Sequence, residues 1–305
     1  MNILGKRYTF FTGSLVLIVT GLIALFVKGG LPLSIDFTGG SLLEVAIDSA
    51  TVQPADILAV YDDAGIQDAQ VQTTETGTFI IRSEFLQDDS RDAVLQNMES
   101  QLGAVTVQRF DSVGPSIGEQ VTSRATLAVI VSSLLVVAFI AWSFRGIQNA
   151  FRYGMCAILA MIHDVAIIFA ITGFGSLFFD WEIDSLFLTA LLTVIGFSMQ
   201  DTIVVFDRIR ENANLYRRLD FETLVNHSIV QTLQRSINTQ LMTVEFMLLA
   251  LAMFGGVTLR EFAIVLLVGL MSGTYSSIFI AAPILVVWEK KEWRNWFGRN
   301  KEAAV

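Results

Sequence analysis

Cysteine and charged residues are scarce in this sequence of 305 residues. The single cysteine, Cys156, has no partner for an internal disulfide and does not suggest a metal cluster. Only 16% of the residues are charged and 53% are hydrophobic, which is too apolar for a typical soluble protein. The phosphate-binding, zinc-site and nucleophile-elbow motifs are also absent, so no enzyme class is indicated by a motif.

The negative charge is concentrated in one segment. Residues 28–121 hold 15 acidic and 4 basic residues, a net charge of −11, whereas the rest of the chain carries +2. A surface of that sign disfavours nucleic acid as a partner, because the phosphate backbone is itself anionic.

Six apolar stretches are long enough to cross a bilayer, which needs roughly 20 helical residues. They are residues 8–27, 126–144, 153–174, 186–206, 236–254 and 262–288. The first is longer than the apolar run of a cleaved signal peptide and lacks an A-x-A-like site at its end. We therefore interpret it as an uncleaved anchor.

The distribution of Lys and Arg predicts the orientation. The N-terminus, the loops after the second and fourth spans and the tail carry 2, 2, 5 and 5 Lys or Arg, whereas the opposite short loops carry only Arg260. By the positive-inside rule, both termini are cytoplasmic and residues 28–121 are extracytoplasmic.

Residues 28–121 predict a small α+β domain. Strands are expected at 41–47, 70–74, 78–83 and 105–110, with helices at 54–64 and 90–102. This βαββαβ order is that of a ferredoxin-like domain, which we interpret as a docking module because it has no His and no evident nucleophile–base pair. The predicted divisions are a first helix at 1–27, this domain, a five-helix bundle at 122–288 with a cytoplasmic loop at 207–235, and a cytoplasmic tail at 289–305.

The most informative charge within an apolar stretch is Asp201. Residues 203–206 are apolar, so nothing adjacent in sequence neutralises a carboxylate that costs roughly 2.5–3.5 kcal/mol to insert. Ser198 and Arg208 share its helix face, which predicts a polar path instead of a lipid-facing surface. Arg235, at the cytoplasmic end of the fifth span, lies in the same half of the membrane, so a pair that loads and releases a proton is possible.

Three further features lie within the predicted spans. His163 and Asp164 are either a buried hydrogen-bonded pair that holds helices together or a proton relay. Glu245 is either a third titrating site or a contact to a partner subunit. Gly269 and Gly273 form a GxxxG motif, which predicts close helix packing.

Several stretches resemble the SecD/SecF family of the resistance-nodulation-division superfamily, in family order and over nearly the whole chain. They are IDFTGG at 35–40, VGPSIG at 113–118, HDV at 163–165, GFSMQDTIVVFDRIREN at 196–212, QTLQRSINT at 231–239 and GTYSSIFIAAP at 273–283. The block at 196–212 is long and specific.

The resemblance implies a six-span subunit of the Sec protein translocase in the bacterial inner membrane, and not an enzyme. It implies a heterodimer with SecD, which assists the SecYEG channel in late-stage export of unfolded preproteins alongside YajC and the SecA-driven machinery. The energy source would be the proton-motive force, with no cofactor and with membrane lipid as surroundings.

The resemblance also assigns roles to residues. The family's functional membrane aspartate matches Asp201, and its arginine at the start of the fifth span matches Arg235. Its other proton-site residues match Asp207, His163 and Asp164. Asp36, Gly39 and Gly40 of the IDFTGG turn lie where the chain enters the outer domain and would serve as a hinge that couples the two parts. Two departures are Gln200, where the family often has Asn, and Glu245.

Three other functions fit parts of the sequence. An intramembrane aspartyl protease would use Asp164 and Asp201, although the GxGD pattern of such enzymes is missing. A small-molecule exporter of the same superfamily would have larger outer insertions. A non-catalytic scaffold of the translocon would tolerate Asp201→Asn.

Overall fold

The computed structural model describes residues 3–48, 52–74, 77–145, 149–240, 246–255 and 257–293. The chain divides into two compact units. One is Leu33–Leu127, and the other combines Met1–Pro32 with Ala128–Val305. The first unit is therefore an insertion in the sequence of the second.

The elements follow one another in a simple order. They are α1 (Arg7–Val27), α2 (Ile35–Thr38), β1 (Gly40–Ile47), α3 (Pro54–Asp63), β2 (Gln70–Thr73), β3 (Phe79–Ser83), α4 (Asp88–Leu102), β4 (Val105–Val113), α5 (Pro115–Ser143), α6 (Ala150–Phe179), α7 (Ser185–Leu215), α8 (Phe221–Gln240), α9 (Phe246–Phe254), α10 (Val257–Ser276) and α11 (Ala282–Glu289). Between α10 and α11 the chain forms one π-helical turn, Ser277–Ala281.

The unit Leu33–Leu127 is a four-stranded antiparallel sheet with two longer helices. The strand order is β2-β3-β1-β4. Alternate residues of β1, such as Leu43 and Val45, point into a core that α3 and α4 supply with Tyr61 and Met98. The predicted strands and helices of this segment are confirmed in type and order, with small differences at their ends.

Pro54 and a capping hydrogen bond set the start of α3. Proline suits the first helical turn because that turn has no use for its missing N–H. The carboxylate of Asp56 accepts a 2.8 Å hydrogen bond from the backbone N–H of Gln53. This bond satisfies one backbone donor at the helix end.

Among the described residues, five helices are long and apolar enough to cross a membrane. They are Leu4–Val27, Pro115–Ser143, Ala150–Phe179, Ser185–Leu215 and Leu259–Glu289. The fifth predicted span, 236–254, corresponds to the end of α8, to residues 241–245, which lie outside the described part of the chain, and to α9. Glu245 belongs to those residues.

Small residues bring the membrane helices close together. Gly269 of α10 lies against Val194 of α7, and a Cβ on Gly273 would lie 3.1 Å from the Cα of Ser198. The close packing predicted from the GxxxG motif is therefore confirmed. Glycines allow this approach because they present no side chain to the facing helix.

Residues 207–235, predicted as a loop, are mostly helical. Helix α7 continues to Leu215, and α8 begins at Phe221. Buried residues at helical spacing, such as Ile209 and Asn212 on α7, explain why the helix continues beyond the apolar stretch. Ion pairs three residues apart, such as Asp207 with Arg210, support the polar face.

Five charged residues form what we call the charge clasp: Arg7, Asp220, Glu222, Lys290 and Glu292. Arg7 contacts Glu222 at 2.9 Å and Glu292 at 2.5 Å. Lys290 contacts Glu222 at 2.6 Å and Asp220 at 3.3 Å. The clasp therefore ties the start of α1 and the start of α8 to the segment after α11.

We expect Glu222→Gln to lower the free energy of unfolding at pH 7 by about 1 kcal/mol, the upper end for a surface ion pair. The hydrogen bond from Lys290, together with Arg7, lowers the pKa of Glu222 below its ordinary value of 4.5. A carboxyl with a lowered folded-state pKa stabilises the fold above its unfolded pKa, and this contribution is lost as the pH falls through the folded value. Thermal unfolding in micelles from pH 7 to pH 3 measures both effects.

The matched control is Glu211→Gln, which removes only an exposed pair with Arg208. The wild type and this control should lose more stability on acidification than Glu222→Gln does. Identical pH profiles for all three proteins would contradict a stabilising clasp.

Candidate functional site

Helix α7 places polar side chains inside the helical unit. Its N-terminus is capped by Asp184, whose carboxylate accepts a 2.7 Å hydrogen bond from the N–H of Phe187. The buried face then recurs at helical spacing through Val194, Ser198 and Asp201. The same periodicity that buries apolar residues of α7 therefore buries a serine and a carboxylate.

Asp201 is 7% exposed and accepts hydrogen bonds from two neutral groups. The side-chain amide of Gln240, at the end of α8, donates at 3.2 Å. The hydroxyl of Thr274, on α10, donates at 3.1 Å to the same carboxylate oxygen. The carboxylate thus joins three helices through uncharged donors.

Arg235 does not hydrogen-bond to Asp201 in the described part of the chain. It lies within α8 on an exposed face, and its charge reaches Asp201 only as a longer-range electrostatic influence. Helix α8 continues five residues beyond Arg235, so Gln240 is the residue of this helix that contacts the carboxylate. The direct pair considered from the sequence is replaced by an amide–carboxylate contact.

Asp164 is 1% exposed and is surrounded by what we call the serine cage: Ser198, Ser272 and Ser276. The hydroxyls of Ser272 and Ser276 donate to its carboxylate at 2.7 Å and 2.6 Å, and Ser198 donates to it as well. Nδ1 of His163 lies 3.1 Å from the same carboxylate. His163 and Asp164 are therefore hydrogen-bonded to each other, a contact that both interpretations of this pair allow.

The far side of His163 is apolar and aromatic. Its Nε2 is buried without a hydrogen-bond partner among the described residues. The ring stacks on Tyr275, with centroids 6.0 Å apart. The Tyr275 hydroxyl donates to the backbone carbonyl of Phe10, at 3.2 Å, which extends the polar contacts to α1.

The predicted stripe of Ser198, Asp201 and Arg208 divides into separate contacts. Ser198 turns to Asp164, whereas Arg208 contacts Gln231 at 2.7 Å near the end of α7. Asp207 is exposed and pairs with Arg210 at 2.5 Å. Residues on one helix face therefore meet different neighbours at different depths.

The glycine turn is held tightly within its own unit. Gly39 and Gly40 have φ values of 73° and 125°, a region that favours glycine, and Asp36 lies in the short helix before them. A Cβ on Gly118, at the start of α5, would lie only 2.6 Å from the backbone N of Gly39. The hydroxyl of Thr122 donates to the carbonyl of Phe37 at 2.9 Å. The IDFTGG and VGPSIG stretches are thus in contact with each other.

Sequence reasoning missed the hydrogen-bond donors to the two buried carboxylates. Gln240, Ser272, Thr274 and Ser276 were not singled out, although hydroxyl residues at 272 and 276 in an apolar span are a usable signal. Within the described residues, no group of three or more His, Cys, Asp or Glu side chains is placed to hold a metal ion.

The two carboxylates accept hydrogen bonds from different groups and do not bond to each other. This arrangement differs from the shared-proton pair of an aspartyl protease. Each carboxylate instead has its own hydroxyl or amide donors, and Asp164 also contacts His163.

Comparisons with known proteins extend over the whole chain. Residues 93–291 match the family model described as "Protein export membrane protein SecD/SecF, C-terminal", and residues 23–51 match that of the SecD/SecF GG motif. The chain is 63% identical to protein translocase subunit SecF of Anaerolinea thermophila over 100% of this chain and 99% of that protein. It is 42% identical to the SecF of Thermobaculum terrenum, with the same coverage of both chains.

A solved structure shares the fold. The crystal structure of SecDF, a translocon-associated membrane protein from Thermus thermophilus, superposes with a TM-score of 0.80 at 34% identity. The match covers 95% of this chain and 39% of the SecDF chain. The region shared with SecDF is therefore less than half of that protein.

Proposed function

We propose, because the chain belongs to the SecD/SecF family of protein export membrane proteins, that it is an auxiliary subunit of the Sec translocase. In this proposal it acts with SecD and uses the proton-motive force to assist late-stage export of polypeptides through the SecYEG channel. Its relatives are named protein translocase subunits, which supports a role in transport.

The observation that carries the proposal is the environment of Asp201. A membrane helix holds this carboxylate almost fully buried, and its hydrogen-bond donors among the described residues are neutral. A hydroxyl can donate or accept, and a side-chain amide offers both an oxygen and a nitrogen, so Thr274 and Gln240 can pair with an ionised or a protonated carboxyl. The site can therefore hold both states that a proton carrier passes through.

The remaining proton-site residues enter the proposal through the family resemblance. Arg235 supplies a positive charge near Asp201 without neutralising it by contact. Asp207 lies on the exposed end of α7, and His163 and Asp164 form a second polar centre on α6. In this scheme, Asp36, Gly39 and Gly40 form the joint through which a change in the membrane unit reaches the outer domain.

The surroundings follow from the same scheme. In this proposal, a SecD chain supplies the part of SecDF that this chain does not cover. We propose SecYEG, YajC, the SecA-driven machinery and unfolded preproteins as its further contacts. The chain lies in the bacterial inner membrane with six spans, the fifth at 236–254, and with both termini in the cytoplasm. The strand order β2-β3-β1-β4 supports a ferredoxin-like extracytoplasmic domain.

The energy available is sufficient for a conformational step. Moving one elementary charge through 100 mV releases about 2.3 kcal/mol. That amount shifts a two-state equilibrium by more than tenfold.

The test is export in sealed vesicles that contain SecYEG, SecD and this chain. A preprotein is stalled midway, and its completion is followed with and without a proton gradient. We expect the gradient to accelerate completion only when this chain is present. Equal acceleration in vesicles that contain SecYEG and SecD alone would refute the proposal.

A further inference from the structure

Helix α10 donates hydrogen bonds to both Asp164 of α6 and Asp201 of α7. Three hydroxyl residues of α10, which we call the hydroxyl triad, are Ser272, Thr274 and Ser276. Ser272 and Ser276 donate to Asp164 at 2.7 Å and 2.6 Å, and Thr274 donates to Asp201 at 3.1 Å. The donors are therefore fixed relative to one another within little more than one helical turn.

The facing helix α7 also connects the two carboxylates, because it carries Asp201 and a donor to Asp164. Ser198 donates to Asp164 and precedes Asp201 by three residues. Glycines at 269 and 273 of α10 lie against α7, so the two helices are closely packed. A displacement of α10 along α7 must therefore change the hydrogen bonds of both carboxylates.

The helix also ends at an irregularity. The π-helical turn Ser277–Ala281 follows α10 directly, and Pro283 stands near the start of α11. Proline cannot donate a hydrogen bond to the turn before it, which fits a change of hydrogen-bond pattern at this point. Single π-helical turns inside α-helices are frequent at functional sites.

We propose that Ser272, Thr274 and Ser276 are positioning residues that couple Asp164 to Asp201, so that the hydrogen bonds of both carboxylates change together. This inference rests on the proposed function, in which Asp201 carries the proton. It adds that Ser272 and Ser276, which contact Asp164, also set the proton affinity of Asp201, which they do not contact.

Few other charges act on this arrangement. Within the described residues, the ionisable group that influences Asp201 is Arg235 of α8, and the one that contacts Asp164 is His163 of α6. The hydroxyl triad has no ionisable group. Any effect of its serines on Asp201 must therefore pass through hydrogen bonds and helix position.

The test is an infrared titration of the full chain in lipid with SecD. With carbonyl-labelled aspartate, the band of protonated Asp201 is the one that disappears in Asp201→Asn. Thr274→Val removes a donor to the ionised form, so we expect tighter proton binding and a midpoint at higher pH. The double variant Ser272→Ala/Ser276→Ala should move the midpoint in the same direction, by about fivefold or more in proton affinity, the lower end of measured site-to-site coupling.

Two further variants separate coupling from damage to the fold. Thr274→Ser keeps the hydroxyl and should restore the wild-type midpoint. Thr20→Val removes a membrane hydroxyl whose hydrogen bonds, among the described residues, are to carbonyls of its own helix, and it should leave the midpoint in place. Combining Thr274→Val with the two serine changes should change the proton affinity of Asp201 by less than the product of the two separate fold-changes, because the substitutions act through one helix.

The outcomes distinguish the inference from the proposed function. If Asp201 titrates and Thr274→Val moves its midpoint while the serine variant does not, the coupling is refuted and the proton-carrying role stands. If Asp201 does not titrate at all, both are refuted.

Discussion

Asparagine in place of Asp201 is expected to remove the whole effect of a proton gradient on export. Asparagine cannot bind and release a proton, but its carbonyl can accept the hydrogen bonds that Gln240 and Thr274 donate. The variant should therefore fold and assemble. It should lose the free energy that proton movement supplies, about 2.3 kcal/mol for each proton that moves through 100 mV. The measurement is the rate at which a stalled preprotein completes export in sealed vesicles, with and without the gradient.

Asp180→Asn is the matched control for this substitution. Asp180 forms an exposed ion pair with Lys28 and has a φ of 55°, a conformation that asparagine also accepts readily. It should respond to the gradient as the wild type does. A normally assembled Asp201→Asn protein with a full gradient response would show that coupling lies elsewhere, and would favour the scaffold interpretation.

Leucine in place of Gly173 is expected to separate α1 from α6. A Cβ at this position would overlap the backbone carbonyl oxygen of Gly21 and would lie 2.9 Å from Cγ of Leu25. A backbone cannot turn aside as a flexible side chain can, so the helices must move apart. We expect a loss of about 3 kcal/mol or more in the free energy of unfolding, at the upper end for overpacked interiors.

Gly196→Leu tests whether this loss comes from the contact. Gly196 lies within α7, is exposed and has no atom within 4 Å of its added Cβ. Thermal unfolding of the isolated chain in micelles should show a change of at most about 1 kcal/mol for this variant, in the direction of greater helix propensity. Equal losses for Gly196→Leu and Gly173→Leu would mean that glycine flexibility, and not close packing, matters at both sites.

Local pattern determined much of this protein from the sequence alone. The order of strands and helices in 28–121 and five of the predicted spans follow from periodicity and length, which are properties of short segments. The GxxxG motif likewise indicated close packing before its partner helix was known. The periodicity of α7 was also enough to place Ser198 and Asp201 on one buried side of that helix.

Only the tertiary structure decided what those buried groups contact. Asp201 meets Gln240 and Thr274, which are 39 and 73 residues away, and Asp164 meets serines up to 112 residues away. A helix face shows which residues turn inward, but not which helix lies opposite or at what height. From the sequence, a pair of Arg235 with Asp201 is possible because both lie in the same half of the membrane. Helix α8 instead extends past Arg235 and brings Gln240 to the carboxylate, because the relative height of two helices is set by packing along their whole length.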